Sequence, residues 1–242
     1  MVNISKSHGC LALTAYVLLI HPTLIAAAPK LHVITFGKWA TVHCSQDSIV
    51  DPGDAHSLVL KVRPLLVDGR TKEFTVGALH DVTDQLFVVR QAFRVNDSLP
   101  EEPASLSHWE WRRGGWLLVD RVTGRVSAIN LPEFDDVYSE VRWYRGYAAY
   151  CGLSDDSKQI YAIVAQINRR KPVVKWLIGE TKFAVESQEW RVPDSDCSPP
   201  DWQRDPARVT FEPNPSTKRT YVIRGRTGDL LAEEKEDDEA MK

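Results

Sequence analysis

Leu117-Leu118-Val119-Asp120-Arg121-Val122-Thr123-Gly124-Arg125-Val126-Ser127-Ala128-Ile129 reads as a complete β-hairpin. Two apolar runs of strand length flank a polar bend, and Gly124 supplies a residue that tolerates positive φ where the chain must reverse. Leu65-Leu66-Val67-Asp68-Gly69-Arg70-Thr71-Lys72 and Tyr221-Val222-Ile223-Arg224-Gly225-Arg226-Thr227-Gly228-Asp229 share its grammar. Their threonines and that of the first hairpin stand at 71, 123 and 227, so the gaps are 52 and twice 52. A fourth bend is expected near 175, close to Asn168-Arg169-Arg170-Lys171-Pro172. A period near fifty residues suits a four-stranded repeat.

Outward from these hairpins the same pattern continues. Past the first 28 residues no long stretch has helical apolar periodicity, whereas short runs of Val, Ile, Leu, Trp and Tyr recur between Gly, Pro, Asp, Asn and Ser. Strands are expected at 31–36, 40–44, 57–66, 73–76, 85–94, 109–112, 115–120 and 126–129. Further strands are expected at 141–144, 147–152, 159–166, 173–178, 208–212, 220–224 and 230–232. Residues 96–106 and 192–206, rich in Pro and acids, read as loops. The fold class is therefore all-β.

Val141-Arg142-Trp143-Tyr144, followed by Ala148-Ala149-Tyr150-Cys151-Gly152-Leu153-Ser154-Asp155-Asp156-Ser157-Lys158-Gln159-Ile160-Tyr161-Ala162-Ile163-Val164, resembles a blade of a Tol-type or WD-like β-propeller. In those blades a strand runs into a Ser-Pro-Asp-Gly-Lys turn, and the next strand opens with an aliphatic residue and Tyr. The turn here, Ser154 to Lys158, has neither the Pro nor the Gly. The 115–129 hairpin resembles the strand, Asp, Thr-Gly, strand element of the same architecture. The resemblance implies propeller-like antiparallel four-stranded repeats. A partial propeller completed by a second chain and an irregular β-sandwich are the alternatives. It implies no function, because propellers host enzymes, binders and scaffolds alike.

Residues 1–9 carry one lysine and no acid, Cys10 to Ile20 is uncharged and mostly apolar, and Ala26-Ala27-Ala28 follows His21-Pro22. These are the three parts of a secretory signal, so residues 1–28 read as a leader and 29–232 as an extracytoplasmic domain, periplasmic or secreted. Cleavage after Ala28 leaves Pro29 first, and Ala27 is the alternative. The apolar run falls short of the ~20 residues of a membrane span. Membrane contact is expected only through the leader, if it stays uncleaved.

Export changes how the cysteines read. Past the leader remain Cys44, Cys151 and Cys197, which an oxidising compartment permits to form one disulfide and leave one thiol. Three pairings are open. Cys151 lies in a run that reads as a buried strand, so the preferred pairing is Cys44 with Cys197. No Cys-x-x-Cys spacing supports a zinc ribbon or a thioredoxin-like motif.

Hydrophobic residues make up 43% and charged residues 26%, enough apolar material for a packed core. The net charge of −3 is unevenly placed: the tail 233–242 contributes −4 and Lys6 gives the leader +1, so the body is neutral. A neutral body lacks the positive field on which nucleic-acid binding relies, and no nucleic-acid partner is expected. Arg169-Arg170-Lys171 reads as decoration of a turn, and the acidic tail as a solvated segment.

Candidate chemistry is sparse. His80-Asp81 with Asp84 offers a base beside carboxylates, but no Gly-x-Ser-x-Gly elbow accompanies it, and turn capping is the plainer role. His32, His43 and Cys44 would suit a metal only if their strands pair. His43 and Cys44 are neighbours and point to opposite faces, so no metal is expected. Glu133, Asp135, Asp136 and Glu140 form one acidic loop and Asp155-Asp156 another, neither with calcium-loop spacing. Asn96-Asp97-Ser98 matches a glycosylation sequon, relevant only in a eukaryotic secretory pathway.

Aromatic residues are the most informative set. Trp109, Trp111 and Trp116 bracket Arg112-Arg113-Gly114, and Trp143, Tyr144, Tyr147 and Tyr150 follow. Exposed Trp and Tyr stack on sugars or anchor protein interfaces, while buried ones fill a β core. Trp109, Trp111, Trp116, Trp143 and Tyr144 are the candidate ligand residues, and Trp109 and Trp111 share a face of any strand that holds both. The function expected is an exported, non-catalytic binding or interaction module without a cofactor, taking a protein or glycan ligand. The alternative is a hydrolase of glycans or peptides, with His80 and the acids converging. Membership of a larger assembly is a third reading.

Overall fold

The computed structural model describes residues 32–43, 59–96, 98, 109–181, 197–214 and 217–231. The chain divides into two units, Met1–Lys30 and Leu31–Lys242. Residues 1–31, among them the expected leader, Cys44 and the acidic tail 233–242 lie outside the described residues. All strands among the described residues belong to the second unit.

The fold is all-β, with antiparallel sheets and, among the described residues, no helix. The first sheet holds β1 (Ile34–Phe36), β2 (Ala40–His43), β3 (Val59–Val67), β4 (Arg70–Asp81), β5 (Leu86–Asn96), β6 (Trp109–Asp120) and β7 (Val126–Ile129). Its order is β1-β3-β4-β5-β6-β7, with β2 also on β3. β1 and β2 run along the same strand, Ile34 opposite Val67 and Ala40 opposite Val62. The break between them falls beside Pro64, which has no N–H for the ladder but whose carbonyl accepts from Gly37 N at 2.9 Å. Ile34 and Phe36 of β1 and Val126 of β7 pack on one buried cluster of Leu65, Phe87, Val89, Leu117 and Val119. The sheet therefore curls until its outer strands share a core.

The second sheet is a meander of β8 (Arg142–Tyr144), β9 (Tyr147–Leu153), β10 (Gln159–Gln166) and β11 (Val174–Glu180). The third is a meander of β12 (Asp201–Gln203), β13 (Arg208–Asn214), β14 (Thr217–Arg224) and β15 (Thr227–Leu230). The second sheet lies between the other two. Ala148, Tyr150, Ile163 and Ala165 pack on Val88 and Trp116 of the first sheet. Ala149, Cys151, Ala162 and Val164 pack on Val209, Phe211, Tyr221 and Ile223 of the third. Alternate residues of β9 and β10 are thus apolar on both faces, which is why their sequences are continuous apolar runs. Each fully buried aliphatic side chain here contributes roughly 1.5–3 kcal/mol.

The look-alike segments form hairpins β3–β4, β6–β7 and β14–β15, and residues 168–172 join β10 to β11. Four details differ from the sequence reading. The strands expected at 109–112 and 115–120 are one, because Gly114-Gly115 forms a bulge opposite Gln91 instead of a turn. The strand expected at 73–76 runs from Arg70 to Asp81. Within the expected loop 192–206 lies β12, a three-residue edge strand that Pro-rich flanks conceal. The last strand starts at Thr227, because the turn glycine is Gly225 (φ 59) and Gly228 lies within the strand.

The cysteine pairing is also corrected. Cys151 bonds Cys197, with their Cα atoms 6.4 Å apart. Burial of Cys151 is compatible with the bond because Cys197 packs against the same core cluster, between the second and third sheets.

Candidate functional site

The structure sorts the five candidate aromatics into three places. Trp116 is only 9% exposed and meets Trp143 edge-on, with ring centroids 5.2 Å apart, between the first and second sheets. Trp143 also stacks on His80 at 6.2 Å. Tyr144 stacks on Trp202 at 5.3 Å, and the Trp202 indole N–H donates to the Arg142 carbonyl at 3.0 Å. That contact holds β12 against β8.

Trp109 and Trp111 form the third group, at the far end of the curled sheet. Alternation on β6 puts both on one face, as expected from the sequence. Pairing with β5 sets Arg94 opposite Trp111 and Asn96 opposite Trp109. The Arg94 guanidinium lies 5.1 Å from the Trp109 ring centroid and 5.7 Å from that of Trp111. Phe74 of β4 meets Trp111 edge-on at 5.0 Å. The result is a row of Trp109, Arg94, Trp111 and Phe74. Its inner end is anchored, since Trp111 packs on the buried cluster of Leu60, Val62, Val76 and Ala92. Its outer end is open, with Trp109 54% exposed, while Phe74, beyond Trp111, is 37% exposed. A guanidinium over indoles is a cation–π arrangement that keeps its N–H donors at the edge, so the row offers flat apolar faces and a fixed positive charge.

No family model, curated protein or solved structure matches this chain. Geometry alone therefore carries the chemistry.

The His80, Asp81 and His32 side chains are each engaged elsewhere. His80 Nε2 lies 3.1 Å from the Arg145 carbonyl, while Asp81 pairs with Arg121 at 2.6 Å. The backbone carbonyl of Asp84 accepts from the same Arg121 side chain at 3.1 Å. His32 Nδ1 meets Asp68 at 2.8 Å. His43 belongs to β2, whereas Cys44 falls outside the described residues. Among the described residues no group of three or more His, Cys, Asp or Glu could hold a metal ion.

The acids of the 133–140 segment are dispersed in role. Glu133 pairs with Lys175 at 2.6 Å and Glu140 with Arg142 at 2.9 Å. The Asp135 carboxylate accepts from Val137 N at 2.9 Å and Tyr138 N at 2.6 Å. The Asp136 carboxyl is pushed above the usual carboxylate range by burial and by neighbouring Asp135. Beside it Arg90 donates to the Gly114 carbonyl at 3.1 Å and to the Asp136 carbonyl. Burial, with Arg113 nearby, lowers the Arg90 pKa. Asp156 closes its own turn, accepting from the Ser154 hydroxyl at 2.6 Å. In the basic cluster, Arg169 donates to the Arg226 carbonyl at 2.8 Å, tying two hairpin bends together.

Arg94 and Phe74 are the residues that sequence reasoning missed. Both sit in expected strands, but only the pairing register reveals that they flank Trp111.

Proposed function

We propose that this chain is an exported, non-catalytic binding module whose ligand surface is the row Trp109, Arg94, Trp111 and Phe74. The observation that carries the reading is the exposed Trp109 ring held against Arg94 at the open end of an otherwise packed sheet. Exposed aromatic and arginine side chains supply most of the energy in protein and glycan recognition, and this row is already ordered before a ligand arrives. Export draws support from the leader-like first 28 residues and from the Cys151–Cys197 bond, since disulfides persist in oxidising compartments. Among the described residues no helix is long and apolar enough to cross a membrane. The propeller-like reading of the fold draws support from the two four-stranded meanders, each packed face to face with the next sheet.

The test is a thermal-shift screen of the full chain against a panel of glycans and peptides. A specific ligand raises the melting temperature by mass action. The expected result is a shift with at least one member that W109A and R94Q abolish and Y144F retains. A panel in which no member gives a shift that W109A and R94Q abolish overturns the reading.

A further inference from the structure

A second concave site lies on the opposite face of the first sheet. Lys61 and Arg63 alternate with Leu60 and Val62, whose side chains are buried against Trp111. On the Lys61 and Arg63 side, a groove of about 670 Å³ is lined by Trp39, Thr41, Lys61, Arg63, Gly77 and Ala78.

Two irregularities build it. The break between β1 and β2 carries Trp39 out of the ladder and leaves it 49% exposed. The pairing of β4 with β5 shifts between Val76 and His80, a bulge that opens the wall at Gly77 and Ala78. The Arg63 guanidinium then sits 3.9 Å from the Phe36 ring centroid and 4.3 Å from that of Trp39. Both rings therefore hold the guanidinium in place by cation–π contact.

The charge in this groove is uncompensated among the described residues. Among the described residues no carboxylate pairs with Lys61 or Arg63. Arg63 Nε is buried and has no hydrogen-bond partner among them. Burial also lowers the Arg63 pKa, as expected for a cation partly stripped of water. A planar anion meeting the guanidinium edge-on would accept paired N–H bonds from its two terminal nitrogens. β3 forms the floor with its backbone paired to β2 on one side and β4 on the other, so recognition falls to side chains. Those side chains offer one indole platform, one hydroxyl and two cations.

We propose that this groove binds a carboxylated sugar. The carboxylate takes paired N–H donors from Arg63, Lys61 adds the second charge, Trp39 stacks on the C–H face of the ring and Thr41 bonds a ring hydroxyl. The site is independent of the Trp109 row, and each stands or falls separately.

The full chain is titrated with a linear galacturonate trisaccharide and, separately, with the neutral galactose trisaccharide, following heat and tryptophan fluorescence. The acid binds, more weakly as salt rises, and the neutral sugar binds at least about tenfold more weakly. R63K keeps the charge but loses the planar fork, and it weakens binding by about tenfold. K61Q, at an exposed position where folding is not in question, weakens it by roughly threefold. W39A abolishes binding, and V137A, an exposed position that lines neither site, leaves it unchanged. The proposal is overturned if the folded wild-type chain does not bind the acid, if both sugars bind equally, or if R63K and K61Q bind like wild type. Tighter binding of a glutamate-rich peptide than of the acidic sugar overturns it as well.

Discussion

Cys151, in the central strand β9, is bonded to Cys197, four residues ahead of the edge strand β12, so the second and third sheets are covalently joined. The two cysteines are 46 residues apart in sequence, and the chain-entropy estimate for a loop of that length is about 4 kcal/mol. C197S is expected to lower the free energy of unfolding by about that amount in urea melts, and reductant should do the same to wild type. A loss under ~1 kcal/mol in both would show that the bond does not restrain the unfolded chain.

Gly152 meets the 131–140 segment backbone to backbone. A Cβ at this position would lie 2.2 Å from the Glu133 carbonyl oxygen, the acceptor for Leu153 N at 2.9 Å. G152A must push one strand of backbone off another, and it is expected to cost about 3 kcal/mol. A melt of G152A within ~0.5 kcal/mol of wild type would mean that this segment does not lie on β9.

The indoles should separate by role. W116A removes a ring packed between two sheets and is expected to cost roughly 3–5 kcal/mol. W109A, at the exposed end of the row, should change stability by no more than ~0.5 kcal/mol. Equal losses in the two variants would remove the distinction between core and surface indole on which the ligand row depends.

Two aspartates should respond to pH with opposite sign. Asp136 has a raised pKa through burial and Asp135, so its native form holds the proton more tightly than the unfolded chain does. The wild type therefore gains stability from this group as pH falls, and loses it as pH rises through the folded-state pKa. D136N should compare best with wild type at pH 7 and lose ground towards pH 4. Asp120 has a lowered pKa, chiefly because the Thr123 N–H donates to it, with help from Val122. Its contribution is present above the unfolded pKa and is lost as pH falls through the folded one. D120N should therefore be destabilising at pH 7 and indistinguishable from wild type well below pH 3. Urea melts of both variants across that range check the pair, and parallel pH profiles would refute the assignment.

Much of the fold was legible because its signals are local. Hairpin β6–β7 follows from two apolar runs and Gly124, and the doubly buried β9 and β10 follow from Ala148 to Gly152 and Ile160 to Ala165. β12 was not legible: Pro199-Pro200 and Pro206 read as loop, and its three residues are held by Trp202 reaching Tyr144 and the Arg142 carbonyl. Neither partner is near it in sequence.

The candidate site divides along the same line. Alternation and turn chemistry act over a few residues, so the order of amino acids was enough to make the chain all-β, to place most strands and to put Trp109 and Trp111 on one face. Three outcomes needed the folded chain: Arg94 and Phe74 joining those indoles, Trp116 and Trp143 lying in the core, and Cys151 pairing with Cys197. Those outcomes depend on strand register and on which sheet faces pack together. Both are set by the burial of apolar faces contributed by distant parts of the chain.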